Sequence, residues 1–144
     1  MRSKRIRPVA SHADQLQRQA VQVYVAAQQV VIEAQLQLEQ LIKYRAEYGA
    51  SRVSGGSNAT QLRDYQLFLH KINLSIEQST SNVHQQKQLC EQHKLNWLKT
   101  RSRSKALEAV VKKYQLNEAK IEARIEQKEQ DECASRISRL KMNN

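Results

Sequence analysis

Residues 62–125 read LRDYQLFLHKINLSIEQSTSNVHQQKQLCEQHKLNWLKTRSRSKALEAVVKKYQLNEAKIEARI, and no Pro or Gly interrupts this stretch. Steps of three and four residues alternate along it, a spacing that keeps one stripe of a helix facing a partner helix, as in a coiled coil. The stripe comprises Leu62, Tyr65, Leu69, Ile72, Ile76, Ser79, Val83, Gln86, Cys90, His93, Trp97, Thr100, Ser104, Leu107, Val111, Tyr114, Glu118, Ile121 and Ile125. A single helix cannot bury its own stripe, so a second helix should pack against this one.

A stripe with the same spacing in residues 9–48 predicts the partner helix. Its positions are Leu16, Ala20, Val23, Ala27, Val30, Ala34, Gln37, Leu41, Tyr44 and Tyr48, and a second row of Val31, Leu38 and Ile42 widens the apolar face. Residues 1–8, MRSKRIRP, precede it and are expected to form a frayed basic tail, with a contact to acidic protein or lipid head groups as the alternative. Pro8 suits the first turn of the helix, where its missing N–H costs nothing.

The segment GASRVSGGSNAT, residues 49–60, predicts the connection between the helices. Gly49 is a natural helix C-cap, and Gly55 and Gly56 supply the backbone freedom for a reversal. Asn58 with Gln61 three residues later resembles a capping box that starts the second helix. We therefore expect an all-α fold, an antiparallel coiled-coil hairpin with one helix at about 9–48, a loop at 49–60 and a second helix at about 61–140.

The second helix is longer than the first, which predicts an overhang. With equal rise per residue, residues whose numbers sum to about 111 lie opposite each other, so Pro8 should face about Arg103. The remainder, roughly 55 Å of helix at 1.5 Å per residue, should have no partner within the chain. Its apolar side chains are Leu107, Val110, Val111, Tyr114, Ile121 and Ile125. A bare apolar stripe of this kind implies another protein chain. A frayed, partly disordered C-terminus and a homodimer through the overhang are the two alternatives.

Composition and charge limit the class of protein. The chain has 144 residues, 24 Lys and Arg against 14 Asp and Glu, and a net charge of +10. Few Gly, Pro and aromatic residues indicate one elongated helical unit, and the basic charge allows nucleic acid, anionic lipid or an acidic protein surface as a partner. No apolar run suits a transmembrane segment or a signal peptide, and Cys90 and Cys133 lie far apart, so the cytoplasm is the expected compartment.

Nothing in the sequence suggests catalysis. The Gly-rich segment lacks the Lys-Ser/Thr ending of a phosphate loop, and the four histidines form no HxxxH pair. Cys90 and His93 lie one turn apart but are too few ligands for structural zinc. A two-helix hairpin also offers little concavity, so we expect no enzyme, no cofactor and no metal.

Aromatic residues cluster on both sides of the predicted loop. Tyr44 and Tyr48 lie one turn apart, and Phe68 begins a row that continues with Ile72, Ser75 and Ser79. Phe68 lies off the stripe defined above, so we expect it to be exposed with at least one tyrosine beside it. This patch is either a docking surface or the closure of the hairpin end.

Several segments resemble the FliJ family, the small coiled-coil components of the bacterial flagellar type III export apparatus. They are LIKYRAEYG at 41–49, DYQLFLHKINLSIEQ at 64–78, a basic segment around Trp97, RIEQKEQDECASR at 124–136 and the opening RSKRIRPV at 2–9. They occur in the order and spacing of that family and cover nearly the whole chain.

The resemblance implies a non-enzymatic stalk. Its terminal ends would sit in the hexameric flagellar export ATPase, and its loop end would act on the cytoplasmic domain of the export gate. It would also assist export chaperones, and it would work in the cytoplasm at the inner membrane. Carried over from the family, the gate-binding residues are Gln37, Leu41, Tyr44, Tyr48, Phe68, Ile72, Ser75 and Ser79.

For the ATPase we hypothesise a surface made of the basic N-terminus and the C-terminal arm. Its residues are Arg2, Lys4, Arg5, Arg7, Arg101, Arg103, Lys105, Leu107, Val111, Tyr114, Ile121, Arg124, Ile125, Glu126, Gln127, Lys128, Asp131 and Glu132. Two alternatives remain: the equivalent stalk of a virulence type III secretion system, and a basic nucleic-acid-binding helical hairpin. Interleaved acids and few aromatic residues disfavour nucleic acid, because no stacking platform is formed.

Overall fold

The computed structural model describes residues 1–53 and 58–143 of the chain. Two long helices contain nearly all of them, α1 at Arg2–Val53 and α2 at Ala59–Met142. No strand occurs in these two ranges, so the all-α prediction is confirmed. Both helices extend beyond the predicted bounds of about 9–48 and 61–140, and the reversal predicted at Gly55 and Gly56 lies outside the described residues.

The capping box before α2 is confirmed. The Gln61 backbone N–H donates to Asn58 Oδ1 at 2.8 Å, and the Asn58 backbone N–H lies 3.4 Å from Gln61 Oε1, in reciprocal pairing. The backbone of Leu62 then bonds to the carbonyl of Asn58 at 3.0 Å. These contacts satisfy N–H groups that the start of a helix otherwise leaves unpaired.

Gly49 is not the C-cap that the sequence predicts. It lies inside α1, which continues to Val53. A Cβ added at Gly49 would lie 3.2 Å from the hydroxyl oxygen of Tyr65. The glycine therefore allows the Tyr65 side chain to approach the backbone of α1 closely.

Contacts divide the chain into two units. The terminal unit combines Met1–Gln17 with Lys99–Asn144, and the central unit is Arg18–Leu98. In the central unit, Tyr48 stacks on Tyr65, whereas Tyr24, nearer the start of α1, stacks on Trp97, farther along α2. Contact partners in this unit thus run in opposite directions along the two helices.

The predicted stripe of α2 agrees with the observed burial over most of its length. Every stripe position from Tyr65 to Glu118 is buried or half-buried, and Ile72 and Val83 are the most enclosed. Leu62, Ile121 and Ile125 are exposed, so the buried stripe is shorter at both ends than predicted.

Half of the predicted α1 stripe is correct and half is wrong. Every second position of the predicted stripe also belongs to the observed one and is buried or half-buried: Ala20, Ala27, Ala34, Leu41 and Tyr48. The alternate positions Leu16, Val23, Val30, Gln37 and Tyr44 are exposed, and their immediate successors Gln17, Tyr24, Val31, Leu38 and Arg45 are half-buried instead. Of the second row, Ile42 is exposed. Both alternatives fit a 3–4 spacing, and the packing of α2 selects the second.

The expected frayed basic tail is also wrong, because α1 begins at Arg2, and Pro8 therefore lies inside the helix and not in its first turn. Ser3 is only 7% exposed and contacts Glu118 of α2 within the terminal unit. This partner lies about ten residues beyond the position that equal rise per residue implies. The lean of helical side chains towards their own N-terminus accounts for about two residues of this shift.

The unpaired part of α2 is shorter than expected. Leu107, Val110, Val111 and Tyr114 are half-buried in the terminal unit, because α1 reaches as far as Glu118. All described residues from Ile121 onward are exposed. We refer to 122–142, roughly 30 Å of helix at 1.5 Å per residue, as the exposed C-terminal segment.

Candidate functional site

Four aromatic side chains form a cluster in the central unit, which we call the aromatic cluster: Tyr44 and Tyr48 of α1 with Tyr65 and Phe68 of α2. The rings of Tyr48 and Phe68 are closest, with centroids 4.0 Å apart. Tyr65 stacks on Tyr48 at 5.9 Å, and Tyr44 meets Phe68 edge-on at 5.5 Å. Offset and edge-on pairs of this kind stabilise the contact beyond the area that they bury.

The cluster has an enclosed part and an open part. Tyr48, Tyr65 and Phe68 are half-buried, whereas Tyr44 is 52% exposed. The prediction that Phe68 is exposed is therefore wrong, because the rings of Tyr44 and Tyr48 cover it. Tyr44 is the member most available to another protein.

The eight residues predicted to bind the gate divide in the same way. Leu41, Tyr48, Ile72 and Ser79 lie in the buried stripes, where their side chains pack within the chain. Gln37, Tyr44 and Ser75 are exposed, and Phe68 borders them. Gln37 lies seven residues before Tyr44, and Ser75 seven after Phe68, so each pair shares a helix face. We call Gln37, Tyr44, Phe68 and Ser75 the aromatic face.

Ser79 is polar within the buried stripe. Its Oγ is buried, and no hydrogen-bond partner for it occurs among the described residues. This burial explains why Ser79 contributes little to an exposed surface.

Sequence reasoning missed two contributors to this region. Tyr65 belongs to the aromatic cluster, which its position three residues before Phe68 could have indicated. Arg45 donates from Nη1 to Asn73 Oδ1 at 2.9 Å and so adds a polar link between the helices. No local signal predicts that link, because the two residues come together only when the helices pack.

In the terminal unit, Glu118 of α2 binds the first turn of α1. The Ser3 backbone N–H donates to Glu118 Oε1 at 3.1 Å, and the Ser3 hydroxyl donates to Oε2 at 2.5 Å. The first turn contains no acidic residue of its own, so Glu118 provides the negative charge that a helix N-terminus favours.

This arrangement lowers the pKa of Glu118 below its usual value of 4.5. The hydroxyl hydrogen bond from Ser3 is the main cause, followed by the backbone hydrogen bond from Ser3. The charges of the N-terminal ammonium group and of Lys4 act in the same direction, and desolvation opposes them. The carboxylate is therefore ionised at neutral pH.

Beside this contact lies a groove of about 360 Å³, lined by Met1, Arg2, Tyr114, Asn117, Glu118 and Ile121. The basic residues predicted to bind the ATPase, Arg2, Lys4, Arg5 and Arg7, are all exposed on α1. Of the remaining predicted residues, Leu107, Val111 and Tyr114 lie in the buried stripe. The others are exposed: Arg101, Arg103, Lys105, Ile121, Arg124, Ile125, Glu126, Gln127, Lys128, Asp131 and Glu132.

The described part of the chain contains no group of three or more His, Cys, Asp or Glu side chains placed to hold a metal ion. Neither described helix combines the length and apolar character that crossing a membrane requires.

Comparison with known proteins identifies the family. No curated protein and no solved structure matches the chain. A family model described as Flagellar FliJ protein matches residues 2–143, nearly the entire length. The resemblance inferred from the sequence motifs is therefore confirmed. The chain belongs to the FliJ family and is a non-enzymatic component of flagellar protein export.

Proposed function

We propose that this chain is a stalk that links the hexameric export ATPase to the export gate and assists the cycling of export chaperones. The family match over residues 2–143 carries the proposal. The stalk would work at the cytoplasmic face of the inner membrane, and its two ends would bind different partners.

The stalk is proposed to be a single elongated unit, an antiparallel coiled-coil hairpin. The stacks of Tyr48 on Tyr65 and of Tyr24 on Trp97 support this arrangement in the central unit. The contact of Ser3 with Glu118 supports it in the terminal unit.

The aromatic face is proposed to bind the cytoplasmic domain of the gate. Tyr44 supports this assignment, because a half-exposed ring held by other rings loses little entropy when a partner covers it. Leu41, Tyr48, Ile72 and Ser79 would act indirectly, by positioning Tyr44 and Phe68.

Tyr44→Ala tests this proposal. We expect binding to the isolated cytoplasmic gate domain to weaken about tenfold or more, as for an interface hot spot. Leu36→Ala is the matched control, since Leu36 is also 52% exposed on α1 but lies outside the aromatic face. Binding would be measured by calorimetry and helicity by circular dichroism. Equal affinities for both variants and the unmodified chain would refute the gate assignment.

The exposed basic side chains of α1 and the exposed C-terminal segment are proposed to bind the ATPase. Arg2, Lys4, Arg5 and Arg7 offer positive charge that can contact acidic loops without a fixed register. The exposed C-terminal segment adds apolar and charged side chains that are all exposed.

A variant ending at Glu122 tests the ATPase assignment. It removes all but the first residue of the exposed C-terminal segment and keeps the residues that pack against α1. We expect it to lose ATPase binding and stimulation in a pulldown and a turnover assay, whereas a control variant ending at Leu140 should keep both. Undiminished binding by the shorter variant would contradict the assignment of this segment.

A further inference from the structure

Charges of opposite sign are separated along the exposed C-terminal segment. Residues 126–132, EQKEQDE, contain four acidic side chains and one basic one, and we call them the acidic block. Residues 136–141, RISRLK, contain three basic side chains and no acidic one, and we call them the basic block. Between them lie the small residues Cys133, Ala134 and Ser135.

Half of these eight charges have an opposite charge one turn away on the same helix, because Lys128 lies three residues before Asp131 and four before Glu132. The other four, Glu126, Glu129, Arg139 and Lys141, have none. Glu132 and Arg136 are one turn apart, and Gln127 donates to Asp131 at 3.3 Å. The centres of the two blocks lie roughly 15 Å apart at 1.5 Å per residue, beyond the Debye length of about 8 Å at physiological salt. Apart from Glu132 and Arg136, the charges of the two blocks are therefore screened from each other within one chain.

An apolar row accompanies the charge pattern. Cys133, Ile137 and Leu140 follow a spacing of four and three residues, which places them on one face. Ile137 is 50% exposed and Leu140 is 68% exposed. Cys133 is exposed as well, so the whole row is open to solvent.

We propose that the exposed C-terminal segment pairs with the same segment of a second copy of this chain, in antiparallel orientation. The two helices would cross at residues 133–135, where small side chains allow close approach. Each acidic block would then lie opposite the basic block of the other copy. Ile137 and Leu140 would then lie beside Gln127, Lys128 and Gln130 of the other copy, whose methylene stems can cover them.

Charge complementarity selects this occupant and this orientation. A parallel pair would place acidic block against acidic block and basic block against basic block, which is unfavourable at flanking positions of a coiled coil. The antiparallel pair instead places each acidic block against a basic block. Its two-fold symmetry closes the assembly as a dimer. Because the proposed ATPase surface uses the same segment, dimerisation and ATPase binding exclude each other.

A charge exchange tests the pairing in the full-length chain without the ATPase. Glu129→Lys with Glu132→Lys makes both blocks basic, and Arg136→Glu with Arg139→Glu makes both acidic. We expect the unmodified chain to dimerise with rising concentration in sedimentation equilibrium at constant salt. Each variant alone should self-associate at least about tenfold more weakly than the unmodified chain, since several charge pairs become repulsive.

An equimolar mixture of the two variants should restore dimers, because each block again meets its opposite. Exchanging the exposed pair in the central unit, by Lys43→Glu with Glu47→Lys, is the control and should leave dimerisation unchanged. Circular dichroism would verify that all variants remain helical. A monomer at every concentration, or a mixture that fails to associate, would overturn the proposal.

Cross-linking tests the orientation. In a Cys90→Ser background, a short bis-maleimide should join two copies through Cys133, which lies beside the proposed two-fold axis. Moving the cysteine, by Cys133→Ser with Glu126→Cys, should abolish the cross-link. In an antiparallel pair the two residues at position 126 lie roughly 20 Å apart along the axis at 1.5 Å per residue. Equal cross-linking at both positions would indicate a parallel pair and refute the proposal.

Discussion

At the scale of single residues, Glu118 and Ser3 show how one carboxylate orders a helix terminus. The first turn of α1 is strongly basic and contains no acid, an unfavourable composition next to the positive end of the helix dipole. Glu118 compensates from α2 by accepting hydrogen bonds from the backbone and hydroxyl of Ser3. The basic side chains of the first turns are thereby held on an ordered helix.

The order of this turn should depend on pH. Because the folded pKa of Glu118 lies below its usual value of 4.5, the contribution of the carboxylate to stability is fully present above pH 4.5. It is lost as the pH falls through the lowered folded pKa. We expect protection of the backbone amides of residues 3–7 and 9 from hydrogen exchange to decrease on acidification.

Glu118→Gln should weaken that protection at neutral pH and abolish its dependence on acid. Glu122→Gln, an exposed carboxylate one turn away, is the control and should change neither. An unchanged acid transition in the Glu118 variant would mean that another group controls the first turn.

The stack of Tyr24 on Trp97 is a second interaction of this scale. The ring centroids lie 5.7 Å apart with planes inclined by 10°. Tyr24→Ala should lower the free energy of unfolding by about 1–2 kcal/mol, because it removes both the aromatic pair and buried apolar area.

The measurement is straightforward because Trp97 is the sole tryptophan of the chain. We expect its emission to shift to longer wavelength in the Tyr24→Ala variant as water reaches the indole. Tyr24→Phe keeps the ring and should preserve both emission and stability. A red shift of equal size in both variants would argue against the stack as the cause.

At the scale of the helices, the central question is which face of α1 meets α2. Alternate positions of the heptad could be occupied by Val23, Val30 and Gln37 or by Tyr24, Val31 and Leu38. The structure buries the second set in part. The first set is left as an exposed row beside the stripe and leads to Tyr44 of the aromatic face.

Leu38 and Leu36 provide a matched test of this register. Leu38→Ala should lower the free energy of unfolding by about 2 kcal/mol, the lower end of the cost of truncating a buried leucine. Leu36, 52% exposed, should tolerate alanine with a change below about 0.5 kcal/mol. Chemical denaturation of both variants provides the comparison, and equal losses would contradict the register.

At the scale of the whole molecule, the end of the contacts between α1 and α2 decides what a truncation removes. Side chains up to Glu118 pack in the terminal unit, whereas those of the exposed C-terminal segment do not. α2 thus consists of a part that packs against α1 and a part that is available for partners.

Two truncations should separate these parts. A chain ending at Glu122 should lose helical signal in proportion to the residues removed, but its free energy of unfolding should change by less than about 1 kcal/mol. A chain ending at Thr100 lacks the stripe positions Ser104–Glu118, so residues 2–17 should exchange their amide hydrogens rapidly. Similar protection of residues 2–17 in both truncated chains would refute this division.

The features that the sequence predicts correctly depend on periodicity or on neighbouring residues. The α2 stripe from Tyr65 to Glu118 follows from the spacing of side chains along one helix. The capping box of Asn58 and Gln61 follows from residues three apart. The family can be recognised from sequence motifs such as the segment at 41–49, which do not depend on how the helices pack.

Other features depend on how the two helices pack, which neither helix encodes alone. Val23 and Tyr24 fit a coiled-coil stripe equally well until Trp97 is placed against one of them. Ser3 and Glu118 lie 115 positions apart, and nothing local links them. Phe68 is enclosed because Tyr44 and Tyr48 approach from α1, so its burial was decided only when the helices came together. The physical reason is that a helix specifies its own faces through its period, whereas the rotation and offset of two packed helices depend on contacts between residues distant in sequence.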